Sequence, residues 1–338
     1  MKIYVYEELM ASPTDPSLSP GMESEARAML ERIVQDLAPI ADVVPILHEQ
    51  RTWSAAEGVP QRRGSGETFS SLIDRAEPDA GWLVIAPETD GVLLQRTQSV
   101  EARQRRLLSP GSRMVELGQD KLRFARAFAQ WSPPTTESIE EMFHASAGVV
   151  AKRRDGAGCQ QMVAGQDRQA IRQYVASRGG DWIFQPWLRS ESAWPASVAL
   201  IGRPDGPPLM LPLAGQRLEL LRGPANGLAG FRYAGGVVPA VPTPGFDTWI
   251  EDIALELVRQ VGAFVGYVGL DLLMGTETPL IELNPRLTTS YVGYSHWIAR
   301  ASGRPDAMGR LLIEGRWPEI DPNTPAVHFS AAGAILST

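Results

Sequence analysis

The sequence predicts an α/β unit followed by an α+β unit. Three observations carry that prediction. Strand-like and helix-like patterns alternate through the first part of the chain. From about Leu117 onward strands dominate, joined by Gly- and Pro-rich connections. The length, 338 residues, suits two domains of ~100–200 residues each. With 43% hydrophobic and 21% charged residues, there is enough apolar material for a sizeable core.

Residues 3–6 open the chain as a short β-branched and aromatic strand. The stretch 12–20 is rich in Pro and Ser and reads as a loop, in which Ser19-Pro20 reads as an N-cap followed by proline in the first helical turn. Ala26, Met29, Leu30, Ile33, Val34 and Leu37 recur at helical spacing and form one apolar face. Residues 43–47 and 82–86 are strand-like, the latter stopped by Pro87. Alternating elements of this kind predict a parallel sheet with helices on its faces.

In the second unit, Asp120 caps a helix with Leu122, Ala125, Phe128 and Ala129 on one side, and Pro133-Pro134 stops it. Strands follow at 148–152, 182–187, 197–201 and 209–213. A last block runs from about Phe246, where Trp249, Ile253, Leu257 and Val261 mark a helix. Residues 267–274 and 279–283 read as two neighbouring strands joined by the hairpin Gly275-Thr276-Glu277-Thr278.

That hairpin carries the strongest chemical signal. Glu282 and Asn284 are two apart, so both side chains leave the same face of a strand, and Asp271 can face them from the partner. Three oxygen ligands on one surface suit a hard divalent cation such as Mg²⁺. Arg286 follows and can reach a phosphate or carboxylate bidentately. The alternative is a solvated strand face, but the neighbours are apolar, and carboxylates are seldom buried without a partner.

A second signal is Val149-Val150-Ala151-Lys152-Arg153-Arg154-Asp155-Gly156-Ala157-Gly158-Cys159, a strand that ends in lysine and opens into a glycine loop. Glycines let backbone N–H groups approach phosphate oxygens, and the lysine adds a point charge. A plain hairpin turn explains the same residues, and no Walker A pattern is present. Lys121, after Gln119-Asp120, is either a phosphate ligand or an ordinary helix lysine.

These elements, in this order, resemble the ATP-grasp superfamily of carboxylate–amine ligases. The matching residues are Asp120-Lys121, Ala151-Lys152 with Gly156-Ala157-Gly158, Phe184-Gln185-Pro186-Trp187, Gly269-Leu270-Asp271 and Glu282-Leu283-Asn284-Pro285-Arg286. Within the superfamily the chain is similar to the tyramine–glutamate ligases of methanofuran-type cofactor biosynthesis. That likeness rests on Ile85-Ala86-Pro87-Glu88-Thr89-Asp90, Tyr233-Ala234-Gly235-Gly236 and Asn284-Pro285-Arg286-Leu287-Thr288-Thr289-Ser290-Tyr291.

The resemblance implies an ATP-grasp fold: a Rossmann-like pre-ATP-grasp domain over 1–116, then an ATP-grasp domain over 117–338. In the latter, 117–187 would be a first lobe with the glycine loop and 188–338 a second lobe with the metal site. It also implies roles. Lys121 and Lys152 contact the ATP phosphates, and Gly156, Ala157 and Gly158 close over them. Gln185, Pro186, Trp187 and Leu188 hold adenine, and Glu191 accepts from the ribose. Asp271, Glu282 and Asn284 bind Mg²⁺ or Mn²⁺, two ions in all, and Arg286 with Lys152 acts on the transferred phosphoryl group. ATP would phosphorylate a small carboxylate, glutamate by resemblance, and an amine such as tyramine would displace phosphate.

This chain departs from the family in places. Arg153 stands where many relatives have proline, and Gln-Pro-Trp replaces a glutamate-rich hinge. Leu9-Met10-Ala11-Ser12-Pro13 replaces a glycine-rich stretch and is expected to touch substrate. A non-catalytic nucleotide-binding protein or a small-molecule kinase on the same fold are the competing readings.

Other features have plainer readings. Net charge is −7, which argues against nucleic-acid or anionic-membrane coating as the main task. No stretch approaches the roughly 18 apolar residues of a membrane span. The single cysteine, Cys159, excludes an internal disulfide and fits a reducing compartment. No signal peptide is expected from the opening residues. Together these point to a cytoplasmic enzyme, with room for a homo-oligomer. His48, His144, His296 and His328 show no zinc-ligand spacing. Arg62-Arg63-Gly64-Ser65-Gly66 reads as a solvated loop rather than an anion nest, and Glu88 and Asp90 as an exposed loop rather than residues facing the acceptor site. Trp131, Trp187 and Trp194 read as packing residues, Trp187 with the option of flanking adenine.

Overall fold

The computed structural model describes residues 1–15, 20–188, 192–223, 227–277 and 280–336. Ser19, expected as a helix cap, lies outside them.

The first unit runs β1 (Lys2–Glu7), α1 (Pro20–Leu37), β2 (Asp42–His48), β3 (Gln61–Arg63), α2 (Phe69–Arg75), β4 (Gly81–Ile85), α3 (Val92–Glu101) and β5 (Arg106–Leu107). Its five strands are all parallel, in the order β3-β2-β1-β4-β5. Period-2 alternation places the side chains of β1 on opposite faces. Ile3 and Val5 pack with Leu30, Ile33 and Val34 of α1. Tyr4 and Tyr6 pack with Phe69 and Leu72 of α2 and Val100 of α3. Arg62 and Arg63 belong to edge strand β3 rather than to a solvated loop. Their guanidinium groups donate to backbone carbonyls, Arg63 to Ala11 at 2.8 Å and Glu67 at 2.7 Å, and Arg62 to Arg51.

The chain then forms α4 (Ser112–Gly118), α5 (Lys121–Ala127), α6 (Ile139–Ala145), β6 (Val149–Arg153), β7 (Val163–Gly165), α7 (Arg168–Arg178) and β8 (Trp182–Pro186). Asp120 caps α5 as expected, accepting from the backbone of Leu122 (3.1 Å) and Arg123 (3.0 Å). The helix ends at Ala127, before Pro133-Pro134, because the chain turns there around buried Phe128, whose ring meets Phe124 and Trp131. The Trp131 carbonyl then accepts from Leu280 at 3.0 Å.

The remaining elements are β9 (Trp194–Gly202), β10 (Leu209–Met210), β11 (Ala214–Arg222), β12 (Leu228–Val238), α8 (Phe246–Val261), β13 (Gly266–Met274), β14 (Leu280–Asn284), α9 (Ser290–Ser302), α10 (Ala307–Glu314), β15 (Val327–Ser330) and β16 (Ile335–Leu336). The strand expected over 209–213 shrinks to β10, and β11 follows it. The main path of this sheet is β14-β13-β9-β11-β12-β7-β6-β8. All of its pairings are antiparallel.

Two cores support the large sheet. On one face α8 packs Phe246, Ile250, Ile253 and Leu257 against Val198, Leu200, Val268 and Leu270. On the other, α9 and α10 bring Tyr291, Trp297, Ile298 and Met308 into one cluster with α1 and with Ala199, Ile201 and Tyr267. The second cluster joins the two sheets, since α1 also covers β1. Each large side chain so buried contributes ~1.5–3 kcal/mol. Among the described residues, no helix is long and apolar enough to cross a membrane.

Candidate functional site

Hairpin β13–β14 builds the acidic end of the site as its spacing predicts. Asp271 and Glu282 stand directly opposite each other, and Gly269 stands opposite Asn284. The turn needs Gly275, whose φ is +79° and where a Cβ would collide with the Ser192 carbonyl. Thr278 and Pro279 lie outside the described residues. Asn284 Nδ2 donates to Asp271 Oδ2 at 2.9 Å, and Gln216 Nε2 of β11 donates to Oδ1 at 2.8 Å.

The two lysines meet this acidic end. Lys121 Nζ lies 3.0 Å from Glu282 Oε1 and donates to the Gly156 carbonyl. Lys152 Nζ lies 3.9 Å from Glu282 Oε2. Both lysines are 5% exposed. The approach of α5 depends on Gly118 at the end of α4. A Cβ there would sit 2.8 Å from Pro285 Cδ and 3.0 Å from the Leu283 oxygen, so a side chain would push the helices off β14. The loop 154–162 is the turn of hairpin β6–β7, and it also lines the site, so the two sequence readings of it are compatible.

Burial sets the charges. It pushes the Asp271 carboxyl up to about 6, with Glu282 adding repulsion against the hydrogen bonds from Asn284 and Gln216. It pulls the Lys152 ammonium down to about 8, opposed by Glu282. Two crowded carboxylates and an amide oxygen fit a hard divalent cation, which relieves their repulsion and takes further oxygens from water or phosphate. Among the described residues no three His, Cys, Asp or Glu gather as a metal cluster. The donor set therefore needs Asn284 and ligand oxygens.

A cavity of about 610 Å³ joins these groups. Of the residues singled out in the sequence, Lys121, Lys152, Gly156, Gly158, Asp271, Glu282, Asn284 and Arg286 line it, as do Gln185, Pro186, Trp187 and Leu188. Ala157 is not among its lining residues, and Glu191 lies outside the described residues. The Gln185 side-chain amide donates to Thr135 at 2.9 Å. Residues 9–13, expected to touch substrate, do not line the cavity. They are tied down instead. Arg51, 5% exposed, donates to the carbonyls of Leu9 (3.0 Å), Ser12 (3.3 Å) and Pro13 (3.3 Å).

Glu88 is a clear correction to the exposed-loop expectation. It is 3% exposed and pairs with Arg286, accepting from Nη2 at 3.0 Å. Arg286 Nε lies 2.9 Å from the other carboxylate oxygen, without the alignment of a hydrogen bond. Asp90 is exposed as expected, and its backbone N–H donates to Asp155 at 3.1 Å.

Glu7 also lies near Arg286. Burial pushes its carboxyl up to about 8, against a 2.7 Å hydrogen bond from the Met10 N–H. The folded value exceeds the ordinary carboxylate value, so the native state binds the extra proton. Its stability contribution is complete below the unfolded pKa of ~4.5 and is lost as pH rises through about 8. Glu7→Gln is expected to flatten the fall in melting temperature between pH 5 and pH 9. The difference at the alkaline end is on the order of a few kcal/mol in the variant's favour. Parallel melting curves for both proteins would refute it.

Cys159 lines the cavity, and burial, reinforced by Asp271 and Glu282, pushes its thiol up to about 12. Since only the thiolate reacts, iodoacetamide at pH 8 is expected to alkylate Cys159 at least about 100-fold more slowly than free cysteine. Mass spectrometry of the time course checks this.

Sequence reasoning did not find Gln216 or Glu25, and it used Tyr233 only as part of a motif. All three line the cavity. They arrive from β11, α1 and β12, so no local spacing marks them.

The comparisons agree with this architecture. A family model described as an ATP-grasp domain matches residues 118–290, and one described as a pre ATP-grasp 3 domain matches residues 29–115. No curated protein matches the chain. Among solved structures, a protein of Archaeoglobus fulgidus assigned to the ATP-grasp superfamily is 19% identical, with a TM-score of 0.68 over 98% of this chain and 92% of that one. The N5-carboxyaminoimidazole ribonucleotide synthetase of Thermus thermophilus is 16% identical, with a TM-score of 0.65 over 96% and 82%. The L-amino acid ligase of Bacillus licheniformis is 12% identical, with a TM-score of 0.64 over 97% and 79%. At these identities the likeness is one of fold.

Proposed function

We propose that this chain, which belongs to the ATP-grasp family, is an ATP-dependent carboxylate–amine ligase that forms an amide through an acyl phosphate. The observation that carries the reading is the meeting of Lys121 and Lys152 with Asp271, Glu282 and Asn284 in one cavity. Residues 1–116 form the pre-ATP-grasp domain in this reading, and 117–338 the ATP-grasp domain. The substrates proposed are glutamate and an aromatic amine such as tyramine, on the strength of the motifs around Glu88, Tyr233 and Asn284. The N5-carboxyaminoimidazole ribonucleotide synthetase and L-amino acid ligase neighbours support ligase chemistry more broadly.

The residues divide the work. Lys121 and Lys152 neutralise phosphate charge from one side of the cavity, and their burial strengthens each contact. Asp271, Glu282 and Asn284 would hold Mg²⁺ or Mn²⁺, two ions in this reading, which would supply positive charge to offset that of the phosphates. The backbone of 185–188 holds adenine. Arg286, held in orientation by Glu88, stabilises the acyl phosphate. Gly156 and Gly158 let the loop close, which excludes water that would hydrolyse that intermediate. Phosphorylation is needed because a free carboxylate has no good leaving group.

An ADP-release screen of amino acids against amines, with mass detection of products, tests the reading. A ligase releases ADP and phosphate only when both partners are present. Phosphate retained on the product would mean a kinase, and no turnover with any pair would refute catalysis.

A further inference from the structure

We propose that Arg153 and Asp155 latch the glycine loop to the first unit at Asp90, and that this latch keeps water from the acyl phosphate. The role rests on the ligase reading and names the residues that hold its loop shut. Loop 154–162 leaves β6 and returns in β7, so its base belongs to the second unit. Its body reaches the first unit at two points. The Asp155 carboxylate accepts from the Asp90 N–H at 3.1 Å, and the Gln160 side-chain amide lies 3.1 Å from the Met22 sulfur of α1. Gly156, Gly158 and Cys159, between these two points, line the cavity. The loop is a strap across the cavity, fastened near both ends to the other unit.

Asp155 serves two donors, one on each oxygen. Oδ1 accepts from Arg153 Nη2 at 3.3 Å, and Oδ2 accepts from the Asp90 N–H. Arg153 is itself seated. Its Nη1 donates to the Gly179 carbonyl at 3.4 Å, and its guanidinium lies against Gly180, where any side chain would collide with it. The Arg153 and Asp155 side chains are 22% and 31% exposed, so their charges are partly sheltered and attract more strongly than a free surface pair. Many members of the family have proline in place of Arg153, and proline could make neither contact.

The far side of the latch is equally placed. Asp90 lies in the turn Thr89–Gly91 with φ +56°, a backbone state that aspartate tolerates better than most residues. The Gly91 N–H closes this turn on the Glu88 carbonyl at 3.1 Å. Glu88 is the residue that holds Arg286. The loop therefore docks on the same short turn that orients Arg286. Its Gly156 carbonyl meanwhile accepts from Lys121 Nζ. With the loop open, water can attack the acyl carbon. The bond from that carbon to the phosphate oxygen breaks, and the free carboxylate returns with inorganic phosphate, so ATP is consumed without an amide.

Asp155→Asn keeps the shape but sets an NH₂ group against one of the two donors. In the full-length protein with MgADP, hydrogen–deuterium exchange across 156–162 is expected to speed up about 3- to 10-fold. With the carboxylate of the productive pair and no amine, ADP release is expected to rise by a similar factor. With both substrates present, the amide formed per ADP falls. Arg153→Lys, which keeps the charge but loses the planar fork, should lie between the variant and the wild type. Unchanged exchange in Asp155→Asn overturns the latch. Faster exchange with the wild-type ratio of amide to ADP overturns its part in excluding water, because a merely structural contact would slow both reactions alike. If the wild type turns over no pair, the ligase reading fails, and the exchange rates still decide the latch.

Discussion

Asp271→Ala is expected to reduce ADP release by at least about 10³-fold, and Glu282→Ala to do the same, with neither variant unfolded. The activity loss follows from geometry. The two carboxylates are register partners on one hairpin, and no third acid among the described residues replaces either. Stability is spared for a separate reason. Burial already disfavours the Asp271 charge, so its removal relieves a cost. The donors it leaves, Gln216 Nε2 and Asn284 Nδ2, face a cavity that water can fill. For Asp271→Ala a change within about 1 kcal/mol by denaturant titration is expected, while Glu282→Ala, which leaves buried Lys121 and Lys152 without their carboxylate, is expected to lose more yet stay folded. Normal ADP release by a folded variant of either residue would overturn the cation assignment.

Asp36→Ala acts in the opposite way, on stability. Asp36 is 0% exposed on α1 and accepts from Tyr291 at 2.6 Å, Ser295 at 2.8 Å and Arg32 Nε at 3.0 Å. Tyr291 and Ser295 belong to α9, so this carboxylate ties the first unit to the helix whose first turn borders the cavity. Alanine leaves two buried hydroxyls unsatisfied and the half-buried Arg32 without its partner. A loss of about 3–5 kcal/mol is expected in urea or thermal unfolding. Asp36→Asn, which can still accept from Tyr291, should lose less. If both variants unfold with the wild-type midpoint, the network does not couple the units.

The acidic triplet was legible because its geometry is local. Asp271, Glu282 and Asn284 lie within one hairpin, and the two-residue repeat of a strand fixes their common face. The helix opened by Asp120 was legible for the same reason: a cap acts two and three residues away. Glu88 misled because a charged residue after a strand and a proline has the look of an exposed loop. Its partner Arg286 is 198 residues away in sequence. Glu25 meets Thr289 across 264 residues, and Gln216 meets Asp271 across 55.

Strand and helix periods and capping operate within a few residues, so the α/β and α+β order, the acidic hairpin, the two lysines and the glycine loop are legible in the chain alone. That α1 and α9 share a core, that Arg286 is held by Glu88, and that Glu25 and Tyr233 line the cavity emerges on folding. Those pairings depend on how twisted sheets bring distant segments together, and a linear pattern carries no trace of a partner supplied by another element.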